Sequence, residues 1–179
     1  MNKLFVFAWL LLGAGAARGQ SPAPDTRLIP TGKLAWSDFT GAVDPASSYW
    51  AHTSWRVSYT YRLLGFRHDT VQLDVQVQPM LLATSWVRPG RQSDGLLAHE
   101  QGHYDMALLL AAIFKKQAGR LVLLRGTYPQ QLRELFAGIL EEIRQLEVQY
   151  DTETEHRKNG PAQLAWEQKL ALLLAAAGQ

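Results

Sequence analysis

Two stretches in the first half of the chain alternate between hydrophobic and polar residues, which predicts β-strands. From Ala51 to Tyr61 the odd positions are mostly apolar or aromatic, and the positions between them are polar. Val71 to Gln78 shows the same period of two after a polar segment that begins at Gly65. Because side chains alternate between the two faces of a strand, each stretch has one buried face and the two are expected to pair as a hairpin. A third short strand is expected at Leu82 to Val87.

The second half of the chain has the three-to-four-residue spacing of amphipathic helices. The first helix is expected to begin at Asp94 as its N-cap and to end near Ala118, before Gly119. One face of this helix carries apolar residues together with two histidines: Leu96, His99, His103, Met106, Leu110 and Ile113.

A second helix is expected to start near Pro129, and its apolar face continues to Glu153 and towards His156. That face consists of Leu132, Leu135, Phe136, Ile139, Leu140, Ile143, Leu146 and Tyr150. Asn159 to Pro161 interrupts the pattern, and a last helix carries Leu164, Trp166, Leu170, Leu173 and Leu174. The expected fold class is therefore α+β, with a small antiparallel sheet packed against a bundle of about three helices.

The first 19 residues have the composition of a secretory signal peptide. Lys3 precedes the apolar run Leu4 to Leu12, and small residues come before a cleavage site at Gln20. The run is short for a membrane span, so no stable span is expected after cleavage. Residues 20–32, which are rich in proline, are expected to form an extended lead-in, and residues 33–179 a single domain. The protein is therefore expected to be exported to the periplasm or secreted.

Charge and cysteine content exclude several classes of function. The full chain carries a net charge of +2, and cleavage of the signal peptide removes Lys3 and Arg18, which brings the net charge to zero. No basic stripe remains for phosphate backbones, so a nucleic-acid role is excluded. The chain has no cysteine, so it has neither disulfides nor thiolate metal ligands.

The first helix contains the pattern H-E-x-x-H between His99 and His103. Histidines four residues apart lie on one helical face and can bind the same metal ion, which favours zinc. Glu100 can then act as the carboxylate that takes a proton from a water activated by the metal. The alternative is a helix that carries these residues by chance. Their position on the buried face argues against it.

A catalytic zinc usually has three protein ligands, so one more must come from elsewhere in the chain. Met106 and Leu109 stand where the metzincin pattern requires glycine and histidine, which excludes that class. His156 at the end of the second helix is the preferred third ligand. Glu153 is the alternative, either as a ligand of the thermolysin type or as the acid that orients an imidazole.

Two further residues are candidates for supporting roles. Tyr150 is either a core residue or a hydrogen-bond donor to the reacting carbonyl oxygen. Asp105 is either an exposed acid or a carboxylate that orients a ligand. His52, on the polar face of its strand, and His68, in a hairpin loop, are not expected to bind the metal.

Six segments spread over most of the chain carry a family resemblance: residues 34–41, 51–53, 85–87, 99–105, 150–156 and 163–166. With these segments the chain resembles a bacterial family of predicted secreted zinc-dependent proteases, a domain of otherwise unknown function. The resemblance implies that His99, His103 and His156 are zinc ligands and that Glu100 is the catalytic acid and base. Arg157 departs from the family pattern, which has glycine directly after the last histidine.

These observations predict an exported, zincin-like metallopeptidase that hydrolyses peptide bonds, with Zn²⁺ as cofactor and Glu100 as general base and acid. The expected partner is a peptide or protein substrate, which the Ala51 to Tyr61 strand could hold by backbone pairing. The alternative is a non-catalytic exported module that binds zinc for structure or for docking a partner. Hydrolysis of a non-peptide amide is a third possibility.

Overall fold

The structure is a computed structural model that describes residues 26–29 and 32–178. The expected signal peptide and most of the lead-in lie outside the described residues. Within them, the strands and α-helices follow in the order β1 Thr26–Arg27, β2 Ala51–His52, β3 Trp55–Arg67, β4 Thr70–Leu82, β5 Trp86–Val87, α1 Asp94–Arg120, α2 Tyr128–Thr154 and α3 Gly160–Gly178, and a short 3-10 helix, Trp36–Asp38, lies between β1 and β2. Two small antiparallel sheets accompany three helices, which confirms the predicted α+β class.

The two long strands β3 and β4 form the expected hairpin, which turns at His68 and Asp69. Its apolar face packs on the helices, and the Tyr59 ring lies 4.6 Å from Phe114 and 5.2 Å from Phe136 between ring centroids. β1 adds a third strand alongside β4. This short strand lies within the segment that is expected to be an extended lead-in.

The stretch predicted as one strand from Ala51 to Tyr61 is divided between two sheets. β2 pairs with β5, whereas β3 pairs with β4. The break falls at Ser54, whose backbone N–H donates to Ser85 Oγ at 2.9 Å and whose carbonyl accepts from the Leu82 N–H at 2.8 Å. The third strand expected at Leu82 to Val87 is reduced to the two residues of β5, because Ser85 turns back to donate to the Leu82 carbonyl at 3.0 Å.

The helix α1 packs against the hairpin on one side and against the other two helices on the other, so its core residues are fully buried. Ser93 is its N-cap, because Ser93 Oγ accepts the Leu96 N–H at 3.3 Å, and Asp94 is the first helical residue instead of the expected cap. Among the described residues, no helix combines the length and the apolar character that crossing a membrane requires.

The helix α2 ends at Thr154, so His156 lies in a loop and not on the continuing helical face that the sequence suggested. Glu155, His156 and Arg157 all have left-handed backbone conformations, with φ of 50°, 50° and 72°. Such φ values favour glycine, so these three residues hold a backbone conformation that side chains usually disfavour. The turn brings His156 back towards α1.

Candidate metal centre

A cavity of about 640 Å³ lies between β2, the start of α1, the second half of α2 and the loop after α2. Its histidine and acidic lining groups include five residues from the two long helices and one from the loop: His99, Glu100, His103, Glu147, Asp151 and His156. His52 on β2 also lines it, together with its neighbours Ala51 and Thr53. The cavity therefore brings together titratable side chains from β2, α1, α2 and the loop after α2.

Three imidazole nitrogens converge on one carboxylate oxygen at the floor of this cavity. Asp151 Oδ1 lies 3.4 Å from His99 Nε2, 3.2 Å from His103 Nε2 and 3.4 Å from His156 Nδ1. Ligand atoms about 2.0–2.2 Å from a tetrahedral zinc are separated from one another by roughly 3.3 Å. The three distances from Asp151 Oδ1 are therefore compatible with neighbouring ligands of one zinc ion. His99, Asp151 and His156 each offer a ligand atom, and these atoms lie within 4.8 Å of one another.

The two histidines of α1 are oriented by acceptors at their other ring nitrogen. His99 Nδ1 lies 3.1 Å from Gln163 Oε1, and His103 Nδ1 lies 3.5 Å from Glu147 Oε1. Glu147 is itself fixed, because its Oε1 accepts the Trp55 Nε1–H at 2.8 Å. An acceptor at Nδ1 favours the tautomer whose Nε2 lone pair is free to bind a metal. Both Nε2 atoms face Asp151.

The electrostatics of the floor also fit a cation. Asp151 Oδ1 and Glu147 Oε2 are buried and accept no hydrogen bond, an arrangement that is costly for a carboxylate unless a positive group compensates it. Burial alone would raise the pKa of Asp151, but His103 and His99 hold it well below its usual value. Burial alone would lower the pKa of His103, but Asp151 and Glu147 raise it well above its usual value. Imidazole nitrogens with carboxylate oxygens are a donor set that suits zinc.

Glu100 is buried beside this cluster and is held by Thr53, the residue after β2. Thr53 Oγ1 donates to Glu100 Oε2 at 2.6 Å. The Glu100 carboxylate lines the same cavity, but it is not part of the candidate metal-binding group beside it. Glu100 is therefore placed to exchange protons with a molecule in the cavity without being needed as a ligand.

Tyr150 packs against the His99 ring and forms a hydrogen bond to the His99 backbone. Its fully buried ring stacks on the His99 ring with centroids 4.8 Å apart, and its hydroxyl donates to the His99 carbonyl at 3.0 Å. Burial raises the pKa of this hydroxyl far above its usual value. Tyr150 does not line the cavity, so this geometry favours a positioning role over hydrogen bonding to a reacting carbonyl.

Gly102 leaves room for Tyr150, which leads to a stability prediction. A Cβ at Gly102 would meet Tyr150 Cζ at 2.6 Å, so Gly102→Ala is expected to reduce the free energy of unfolding by about 1–3 kcal/mol through overpacking. Gly119→Ala is the control on the same helix, because a Cβ there meets nothing within 4 Å. It is expected to raise stability by roughly 0.5–1 kcal/mol. Urea denaturation of both variants checks this, and equal stability gains would contradict the tight contact.

Glu153 and Asp105 lie away from the converging nitrogens. Glu153 accepts hydrogen bonds from Gln149 Nε2 and Trp166 Nε1, both at 2.7 Å, and it does not line the cavity. Asp105 Oδ1 accepts from Gln101 Nε2 at 2.7 Å and is also outside the cavity lining. The structure therefore does not bring these two candidates to the site.

Sequence reasoning missed Asp151, Glu147 and Thr53. Glu147 and Asp151 are four residues apart, so they lie on one face of α2, and this spacing with an acid at both positions was the available signal. Thr53 had no such signal, because its contact with Glu100 joins residues 47 positions apart.

A comparison with protein families gives one match. The profile of a family described as "Bacterial protein of unknown function (DUF922)" matches residues 38–157. This range includes Asp151 and the three histidines around it. No match was found among curated proteins or among solved structures.

Proposed function

The chain belongs to this bacterial family of unknown function, and we propose that it is an exported zinc-dependent metallopeptidase. The observation that carries the proposal is the meeting of three histidine nitrogens at 3.2–3.4 Å from Asp151 Oδ1, with Glu100 in the same cavity. Export rests on the signal-like composition of residues 1–19.

The proposed zinc ligands are His99 and His103 from α1 and His156 from the loop after α2. Asp151 lies against all three and supplies negative charge to the same point. Glu147 and Gln163 orient the two histidines of α1. A helix that carries the motif beside a short strand at the cavity wall supports a zincin-like architecture.

In the proposed reaction, Glu100 takes a proton from the attacking water and later passes it to the leaving amine. A bound zinc ion supplies Lewis acidity, which polarises a carbonyl group and makes a nearby water molecule more acidic. Thr53 keeps the Glu100 carboxylate directed into the cavity. Ala51 and His52 of β2 line the cavity wall, and a substrate in extended conformation could pair with that strand.

A non-catalytic zinc module is the second candidate, and the position of Asp151 favours it. Asp151 Oδ1 lies within 3.4 Å of all three proposed histidine ligands, so it could serve as a fourth protein ligand, and closed sites of four protein ligands are typical of structural zinc. Two observations argue against the non-catalytic module: the cavity of about 640 Å³ and the Glu100 carboxylate held by Thr53. A structural zinc site needs neither of them.

The two candidates are separated by peptide cleavage with the purified mature chain from Gln20 to Gln179. The zinc-loaded protein is expected to cleave unfolded casein, to lose this activity with a chelator such as EDTA, and to recover it when zinc is restored. Fragment release is measured by mass spectrometry. Zinc-dependent thermal stability without cleavage of any peptide in a diverse library would favour the non-catalytic module instead.

A further inference from the structure

The basic residues of the cavity have few acidic partners among the described residues. Arg144, Arg157 and Lys158 all line it. Arg144 Nη1 lies 4.0 Å from Glu141 Oε2, at the limit of an ion pair, and Arg144 Nε is buried without a hydrogen-bond partner. The Arg157 guanidinium stacks over the Trp50 ring at 4.7 Å. Arg157 and Lys158 form no ion pair with any residue that the structure describes.

The acidic residues of the same cavity do not pair with these basic residues, because each acid already contacts another group. Glu100 accepts from Thr53, Glu147 accepts from Trp55, and Asp151 faces the three histidines. The basic groups are therefore available to a negatively charged ligand. An arginine with an unused donor is well suited to a carboxylate, because the guanidinium can form paired, charge-assisted hydrogen bonds.

Arg144 lies within reach of a peptide held at the floor of the cavity. It precedes Asp151 by seven residues on α2, so it is on the same helical face and about 10 Å away along the helix axis. An extended peptide advances about 3.3 Å per residue, so this distance corresponds to roughly three residues.

We propose that the cavity selects peptides that carry a carboxylate near the bond to be cleaved, and that Arg144 binds this carboxylate. The carboxylate is either the C-terminus of the peptide or an aspartate or glutamate side chain. This inference rests on the proposed peptidase function and adds a substrate class to it.

The test measures binding in a Glu100→Gln background loaded with zinc, so that the result does not depend on cleavage. Three unlabelled, N-acetylated alanine-based hexapeptides are compared by isothermal titration calorimetry: one with a free C-terminus, one with a C-terminal amide, and one amidated peptide with glutamate at a central position. At least one probe with a carboxylate is expected to bind about tenfold more tightly than the neutral amide. The probe that shows the preference identifies the source of the carboxylate.

Arg144→Gln is expected to abolish the preference, and Arg144→Lys to retain part of it, because lysine keeps the charge but not the paired hydrogen bonds. Arg133→Gln on the same helix is the matched control, since Arg133 does not line the cavity, and it is expected to keep the full preference. Equal binding of all three probes, or a preference that survives Arg144→Gln, would overturn the proposal. An absence of peptidase activity in the wild-type protein would instead count against the proposed function.

Discussion

Replacing Glu100 with glutamine is expected to reduce kcat/KM for peptide hydrolysis by about 10²–10⁴-fold while the protein keeps its zinc and its fold. Glutamine has nearly the same size as glutamate, and its amide oxygen can still accept the hydrogen bond from Thr53. It cannot accept a proton from water at neutral pH. Because Glu100 is not one of the proposed zinc ligands, the zinc affinity should change little.

The measurement is kcat/KM of the zinc-loaded variant on a peptide that the wild-type protein cleaves, together with its zinc content. Glu153→Gln is the matched control, because Glu153 is bonded to Gln149 and Trp166 outside the cavity, and it should retain wild-type activity. A Glu100→Gln variant that cleaves at the wild-type rate would show that another group is the base. Loss of zinc from this variant would show that Glu100 is itself a ligand.

Replacing His103 with alanine is expected to weaken zinc binding by more than about 100-fold. The change removes one donor of the converging group and leaves the buried carboxylates of Asp151 and Glu147 without that neighbour. Because zinc stabilises the folded state by mass action, the increase in melting temperature on adding zinc should largely disappear as well.

Zinc affinity is measured by competition with a chromophoric chelator. His68→Ala is the control for the loss of an imidazole, because His68 lies in the hairpin turn away from the cavity, and its zinc affinity should equal that of the wild-type chain. Wild-type affinity in His103→Ala would contradict the assignment of His103. An equal loss in both variants would show that the effect is not specific to the site.

Most of the fold could be predicted from the sequence because the patterns are local. The alternation in β3 and β4 and the helical spacing in α1 to α3 each follow from which residues are buried on one face. The division between β2 and β3 could not, because the alternation continues across Ser54. Only the hydrogen bonds of Ser54 to Ser85 and Leu82 show that the chain changes sheets there.

The same distinction applies to the site. His99, Glu100 and His103 are adjacent through helical geometry alone, so their proximity could be predicted. The position of Asp151 depends on how α2 packs against α1. The place of an acidic residue on a helix face does not indicate which residues it will contact in the folded chain. The ligand chemistry of histidine alone favours His156, whereas the left-handed turn that brings it to the cavity is a property of the folded chain.

The most direct test of this account is the zinc content of the purified mature chain, measured by inductively coupled plasma mass spectrometry after dialysis with zinc. About one zinc ion per chain is expected, as for a single mononuclear site. A chain that is folded but binds no zinc, even after zinc is added back, would contradict the central claim.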